Sequence, residues 1–296
     1  MNWEAQGIPM TICRSKAPLP LREQTPLLRC EKIAKSYGGE QIIRDINVSL
    51  FAGELVSVLG RSGTGKTTLF NILSGLETPD SGSVYLKGSD VTGSSGLVSY
   101  MQQKDLLLPF RTILDNVCVP LVLRGTGKKE AREYAQTYFE EFGLAGCEDK
   151  YPGQLSGGMR QRAALLRSYL FEGEIMLLDE PFSALDAITK MAMHRWYKEI
   201  SRAHGTSAFL ITHDIDEALL LSDRIYVITG SPGEICAEIA IEHGVGESAP
   251  AGSAEMNGAV GMAGSAEMAG AVGLEVDFSM SAEFAARKKE ILAYIS

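Results

Sequence analysis

The chain has 296 residues, with 28 lysines and arginines against 37 aspartates and glutamates, and its formal net charge of −9 argues against a protein that binds nucleic acid by charge alone. A composition 45% hydrophobic and 22% charged is that of one large or two small globular domains, with no run of about 18 apolar residues to cross a membrane as a helix. Five cysteines with no CxxC pair favour reduced thiols in a cytoplasm over a disulfide framework or a zinc site. Residues 1–26 hold four prolines, no clear period and no apolar stretch of secretory-signal type, and read as an irregular extension. Strands are expected at 27–33, 41–50 and 54–59, the last ending at Gly60. After a glycine-rich turn, Leu69, Ile72, Leu73 and Leu76 share one face of a helix, with Gly75 and Pro79 beyond it, and strands are expected at 83–86 and 96–101.

A mostly helical block follows over 111–167, its best helix at 128–142, where Ala131, Tyr134, Ala135, Tyr138, Phe139 and Phe142 form an apolar stripe closed by Gly143. Strand and helix then alternate: strand 175–178, helix 187–204, strand 207–212, helix 214–221. This pattern implies a largely parallel sheet covered by helices. The pair 224–228 and 234–241 reads as a closing hairpin. Next comes a twelve-residue tandem repeat, 251–262 and 263–274, identical at ten of twelve positions and rich in alanine and glycine. It buries too little to offset its ordering entropy and reads as a flexible linker. Residues 242–296 hold eight acids and three bases, so much of the negative charge sits there. Beyond the repeat, Ser281 can cap a helix with Phe284, Ile291, Leu292 and Ile295 on one edge, expected to dock on the core.

Gly60-Arg61-Ser62-Gly63-Thr64-Gly65-Lys66-Thr67 satisfies G-x-x-x-x-G-K-S/T between a predicted strand and a predicted helix. Glycines let backbone N–H groups close round a polyphosphate, and the helix start adds a positive dipole end. Lys66 is placed to reach the β and γ phosphates and the Thr67 hydroxyl to ligate Mg2+, with Thr68 beside them in the ATP-binding set. The apolar strand ending in Asp179-Glu180 delivers a carboxylate towards that ion, with Asp179 as the metal-side acid and Glu180 as the candidate to deprotonate the attacking water. A third element, Leu155-Ser156-Gly157-Gly158-Met159, reads as a second anion cradle at a helix start.

In this order the three elements resemble the nucleotide-binding subunits of ABC transporters, and the resemblance covers roughly 27–241. It implies an α/β fold: a P-loop NTPase (RecA-like) core, an antiparallel β subdomain and an inserted α-helical subdomain, the ABC ATPase fold. The domain would occupy 27–245 with its helical part at about 104–167, a linker 246–278 and a C-terminal helix 279–296. The resemblance implies ATP and Mg2+ as ligands, and a head-to-tail dimer with a second copy in which Leu155, Ser156, Gly157, Gly158 and Met159 act in trans. Tyr37 resembles the aromatic that stacks on adenine, its alternative being an ordinary half-buried strand tyrosine. Gln103 fits the glutamine that touches Mg2+ and links the core to the helical block. Gln102 competes for that role, and spacing to Pro109 favours Gln103. His213 resembles the switch histidine at the γ phosphate, and Ser183, Ala184, Leu185 and Asp186 the loop that crosses the dimer interface. His194, His204 and His243 match nothing and read as surface residues.

The resemblance further implies an ATPase peripheral to the cytoplasmic face of the membrane, partnered by a membrane permease and an extracytoplasmic solute-binding protein, with no nucleic acid. The groove near 103–116 would receive the permease. Residues 106–110 and 115–117 resemble importers of nitrate, sulfonate, taurine or a thiamine precursor. The rival reading is a soluble mechanical ABC ATPase of DNA repair or translation.

Overall fold

The computed structural model describes residues 25–171, 173–241 and 282–295. The readings of 1–24, of the tandem repeat, of the Ser281 cap and of His243 lie outside these residues. The chain opens with β1 (Leu28–Tyr37) and β2 (Glu40–Leu50), joined by a two-residue turn in which Gly38 and Gly39 take φ 58° and 88°. Two positive φ values in succession match the twist of a hairpin, so β1 runs four residues past its expected end and places Tyr37 opposite Glu40. With β4 (Ser81–Leu86) and β5 (Ser89–Asp90) these strands form an antiparallel sheet in the order β2-β1-β4-β5.

The second sheet contains β3 (Leu55–Gly60), β6 (Ser99–Met101), β7 (Ile175–Asp179), β8 (Ser207–Thr212), β9 (Arg224–Thr229) and β10 (Glu234–Ala240), in the order β10-β9-β3-β8-β7-β6. Only the β9–β10 hairpin is antiparallel. The central strands are buried on both faces, which is why they read as continuous apolar runs. Phe209 and Ile211 of β8 point to a core shared with the first sheet and with Leu69, Phe70, Ile72 and Leu73 of α1 (Lys66–Leu73). Ala208 and Leu210 face Leu165, Met193 and Tyr197 on the other side. Helix α1 ends at Leu73, so Leu76 leaves the expected stripe and is 60% exposed.

Short helices α2 (Ile113–Val117), α3 (Val119–Leu123) and α4 (Lys128–Gln136), with α5 (Gly157–Tyr169), enclose their own core around Leu114, Phe139, Leu155 and Leu166. The helix expected over 128–142 stops at Gln136. The N–H groups of Thr137, Tyr138 and Phe139 then bond three residues back, tightening the chain so that Phe139 and Phe142 turn inward while Tyr134 faces out. Helices α6 (Ala187–His204) and α7 (Ile215–Leu221) flank the parallel sheet. The final helix α8 (Ala282–Ile295) docks as expected: Phe284 and Ile291 enter a cluster with Leu219, Ile225 and Val227, and the Lys288 ammonium lies 2.6 Å from the Asp216 carboxylate. Leu292, expected on the same edge, is 45% exposed.

Candidate functional site

Register brings the chemistry together. In parallel pairing Leu59 lies beside Thr212, Asp179 beside Ile211, and Met101 beside Leu178. The carboxyl ends of β3, β8, β7 and β6 therefore deliver the glycine loop, His213, Asp179-Glu180 and Gln103 to one crest, where open α/β sheets bind ligands. The loop wraps closely. A Cβ on Gly60 would overlap the Ile228 carbonyl, and one on Gly65, whose φ is +86°, would overlap the Ile43 side chain. Gly65 caps α1 without any side chain, so the helix start offers backbone N–H groups to an anion. Arg61, Ser62 and Gly63 are exposed on the loop's rim, while Thr64 is buried and its hydroxyl donates to the Arg61 carbonyl at 2.9 Å.

The Lys66 ammonium is held across the loop, donating to the carbonyls of Gly60 and Arg61 at 2.8 Å each. Burial lowers its pKa against the opposing pull of Glu180 and Asp179. The Thr67 hydroxyl donates to Asp179 Oδ2 at 3.1 Å, and the Tyr100 hydroxyl reaches the same oxygen at 3.4 Å. Burial pushes the Asp179 carboxyl up, and the bonds from Thr67 and Tyr100 offset only part of that rise. A hydroxyl and a carboxylate side by side are hard oxygen donors of the type Mg2+ takes when phosphate and water complete its shell, so these residues fit that ion.

Glu180 follows in the left-handed region, φ 46°, which turns its side chain back over the crest. There Gln103 Nε2 donates to one carboxylate oxygen at 3.1 Å and His213 Nδ1 lies 3.1 Å from the other. Of the two adjacent glutamines, Gln103 is the one bonded to Glu180. Tyr37 ends β1 with its ring 45% exposed; burial and the Glu77 carboxylate raise its hydroxyl pKa against a pull from Thr68 on α1. The Tyr37 hydroxyl donates to the Glu77 carboxylate, a few residues past the end of α1.

The second cradle is divided. Leu155 is buried in the helical core, whereas Ser156 is exposed and caps α5, its oxygen accepting from the Met159 N–H at 3.3 Å. Gly158 is buried, a Cβ there meeting the Thr189 methyl at 3.0 Å, and Gly157 and Met159 are half-buried. Leu155 thus anchors the segment. Ser183 and Ala184 are exposed, with the Ser183 hydroxyl donating to the Glu180 carbonyl at 3.0 Å; Leu185 is half-buried and Asp186 caps α6 by accepting from Thr189 N–H at 3.1 Å.

Residues 43–183 match the family described as ABC transporter. The formylaminopyrimidine import ATP-binding protein ThiZ of Halalkalibacterium halodurans is 45% identical over 207 residues, 70% of this chain and 81% of the relative. The chain belongs to the ABC transporter ATP-binding family. Another relative, the aliphatic sulfonates import ATP-binding protein SsuB 2 of Burkholderia lata, is 42% identical over 74% of this chain and 78% of its own length. A dimeric ATP-binding cassette solved in a post-hydrolysis state with ADP and Pi superposes with a TM-score of 0.64 at 29% identity, covering 73% of this chain and 99% of the cassette. This ABC subunit has the ABC ATPase fold, binds ATP and is an ATPase that powers transport.

One contact of the ABC subunit's site, and the partners of two histidines away from it, were not read from sequence. Tyr100 lies just before the glutamine pair, but its bond to Asp179 depends on the β6–β7 register. His194, read as a surface residue, is 8% exposed and bonded to Glu217 at 3.2 Å, a partner on another helix. His204 is also engaged, between Tyr169 at 3.0 Å and Glu141 at 2.7 Å.

Proposed function

We propose that the chain energises import of a small organic solute, of the aminopyrimidine or alkanesulfonate kind for which its relatives are named, as one half of a head-to-tail homodimer seated under a membrane permease on the cytoplasmic face. An extracytoplasmic binding protein supplies the solute. The observation that supports this most is the convergence of Gln103 and His213 on the two oxygens of Glu180, one residue from the Asp179–Thr67 pair.

In this reading the glycine loop and Lys66 hold the ATP phosphates, Tyr37 stacks on the base, and Thr67, Asp179 and Gln103 hold Mg2+. Bound there, the ion neutralises charge on the transferring phosphoryl group. Glu180 takes the proton of the attacking water, with Gln103 and His213 fixing the direction of its two oxygens. The exposed Ser156 start of α5 closes on the partner's ATP, and the 183–186 segment crosses between subunits. The domain limits 27–245, 246–278 and 279–296 belong to the same reading.

The test is Glu180→Gln. It retains ATP binding and dimerises in ATP, seen by gel filtration, while phosphate release falls at least about a hundredfold. Turnover near the wild-type rate overturns the assignment of the base.

A further inference from the structure

Two loops meet at the crest, and each runs directly into a helix. Helix α6 leaves the 183–186 segment through its cap Asp186, and α7 leaves His213 through its cap Asp214, whose Oδ1 accepts the N–H groups of Asp216 at 2.9 Å and Glu217 at 3.3 Å. Lys190 lies in the first turn of α6, where its N–H bonds the Asp186 carbonyl at 2.8 Å. Its ammonium donates to Asp214 Oδ2 at 2.7 Å and lies 2.9 Å from Glu217 Oε2. The same Glu217 oxygen meets His194 Nε2 at 3.2 Å. The His194 ring packs edge-on against Phe182, two residues past Glu180, with centroids 5.0 Å apart. Glu217 is 2% exposed and the Lys190 side chain 19%. One cation therefore ties the cap beside His213 to the first turn of the helix that continues the 183–186 segment.

Apolar side chains would hold two helices together at least as well as a buried ion pair. What a charged contact adds is a fixed register, because displacing either helix by more than a bond length leaves a buried carboxylate unpaired. We propose that Lys190 is a positioning residue for ATP hydrolysis: acting through Asp214, it sets His213 relative to the 183–186 segment, so that closure at the dimer interface is transmitted to the histidine that orients Glu180. This inference rests on the roles given above to His213 and to the 183–186 segment.

Removing Lys190 alone takes the ammonium from two carboxylates, the more buried being Glu217, so the informative variant is the double substitution Lys190→Gln with Glu217→Gln. It removes one charge of each sign and keeps the Asp214 cap. The expected result is a fall in kcat of about tenfold with the Kd for a fluorescent ATP analogue in Mg2+ changed less than about twofold. Lys190→Arg alone, which keeps the charge, retains at least about half of the wild-type kcat. A double variant with wild-type kcat overturns the inference. So does an activity loss that tracks a lowered Tm in both variants, because that is a structural role. Glu180→Gln run in parallel separates the failures. If it is inactive while both Lys190 variants turn over normally, only the positioning role falls; if it turns over normally, the reading of the site falls.

Discussion

Asp179 sets function against stability at a single position. Its carboxyl titrates above the usual carboxylate range because it is buried, so at neutral pH the ionised form weighs on the folded state, and that weight is relieved only as pH falls through the raised pKa towards the ordinary aspartate value. Asp179→Asn keeps an acceptor for Thr67 and Tyr100 without the charge. We expect Tm to rise, while Mg2+-dependent phosphate release is lost. Calorimetry of the nucleotide-free variant checks the first part and a phosphate assay the second. The Lys190–Asp214 pair behaves oppositely. Burial would raise Asp214, but Lys190 together with the Glu217 and Asp216 N–H groups outweighs it and the carboxyl titrates low; burial would lower Lys190, but Asp214 and Glu217 together lift it above its usual range. Lys190 contributes stability that is lost only as pH rises through its raised pKa, and Asp214 contributes stability lost only as pH falls through its lowered one. The neutral range leaves their contact intact.

Among the elements, β9 depends on one buried guanidinium. Arg224 pairs with both oxygens of Glu54 at 2.8 and 2.9 Å and with Glu238 at 2.6 Å, and donates to the Ser49 carbonyl at 2.8 Å. It thereby joins β2, the turn before β3, β9 and β10. Arg224→Met should cost about 3–5 kcal/mol, since Glu54 is left buried and unpaired, and adding Glu54→Gln should recover part of it. Urea unfolding with m unchanged is the check. No local signal announces this hub, because its members come from distant strands. The same distinction separates what the sequence disclosed from what it hid. The glycine loop, strand β7 with its terminal carboxylates, and the start of α7 at Asp214 were legible, since each depends on short-range chemistry: close approach, an apolar run, a cap. The end of α4 was not. The aromatic spacing over 128–142 suits one long helix, yet Phe142 sits 5.5 Å from the Trp196 ring and 5.6 Å from that of Tyr169, so packing partners decide where the helix breaks. His194 was misread for the same reason, its Glu217 partner lying on a helix whose placement spacing alone does not give.

At the scale of the whole molecule, α8 covers the face from which α7 departs. Phe284 and Ile291 bring about 1.5–3 kcal/mol each as an upper estimate, and without them Leu219, Ile225 and Val227 lose their cover. A chain ending after Ile241 should melt several degrees lower and still bind ATP, because the crest lies on other elements; a melting curve beside nucleotide titration tests this, and lost affinity refutes it. Helix α5 has a different part in the assembly. Its C-terminal end is bolted to the core: Ser99 donates to the Ser168 carbonyl at 2.7 Å, and Arg167 holds the carbonyls of Asp105 and Leu106 at 2.6 and 2.8 Å, two and three residues past Gln103. Its far end carries Ser156, and its 13 residues span about 20 Å. A tilt of about 10° at the bolted end sweeps the serine through about 3.5 Å, enough to make or break a hydrogen bond. The Gln161 amide, on the same helix, donates to the Pro181 carbonyl just past Glu180, so such a tilt would also disturb that contact. The helix therefore has the proportions of a lever: any small rotation about its anchored end would be magnified at the serine.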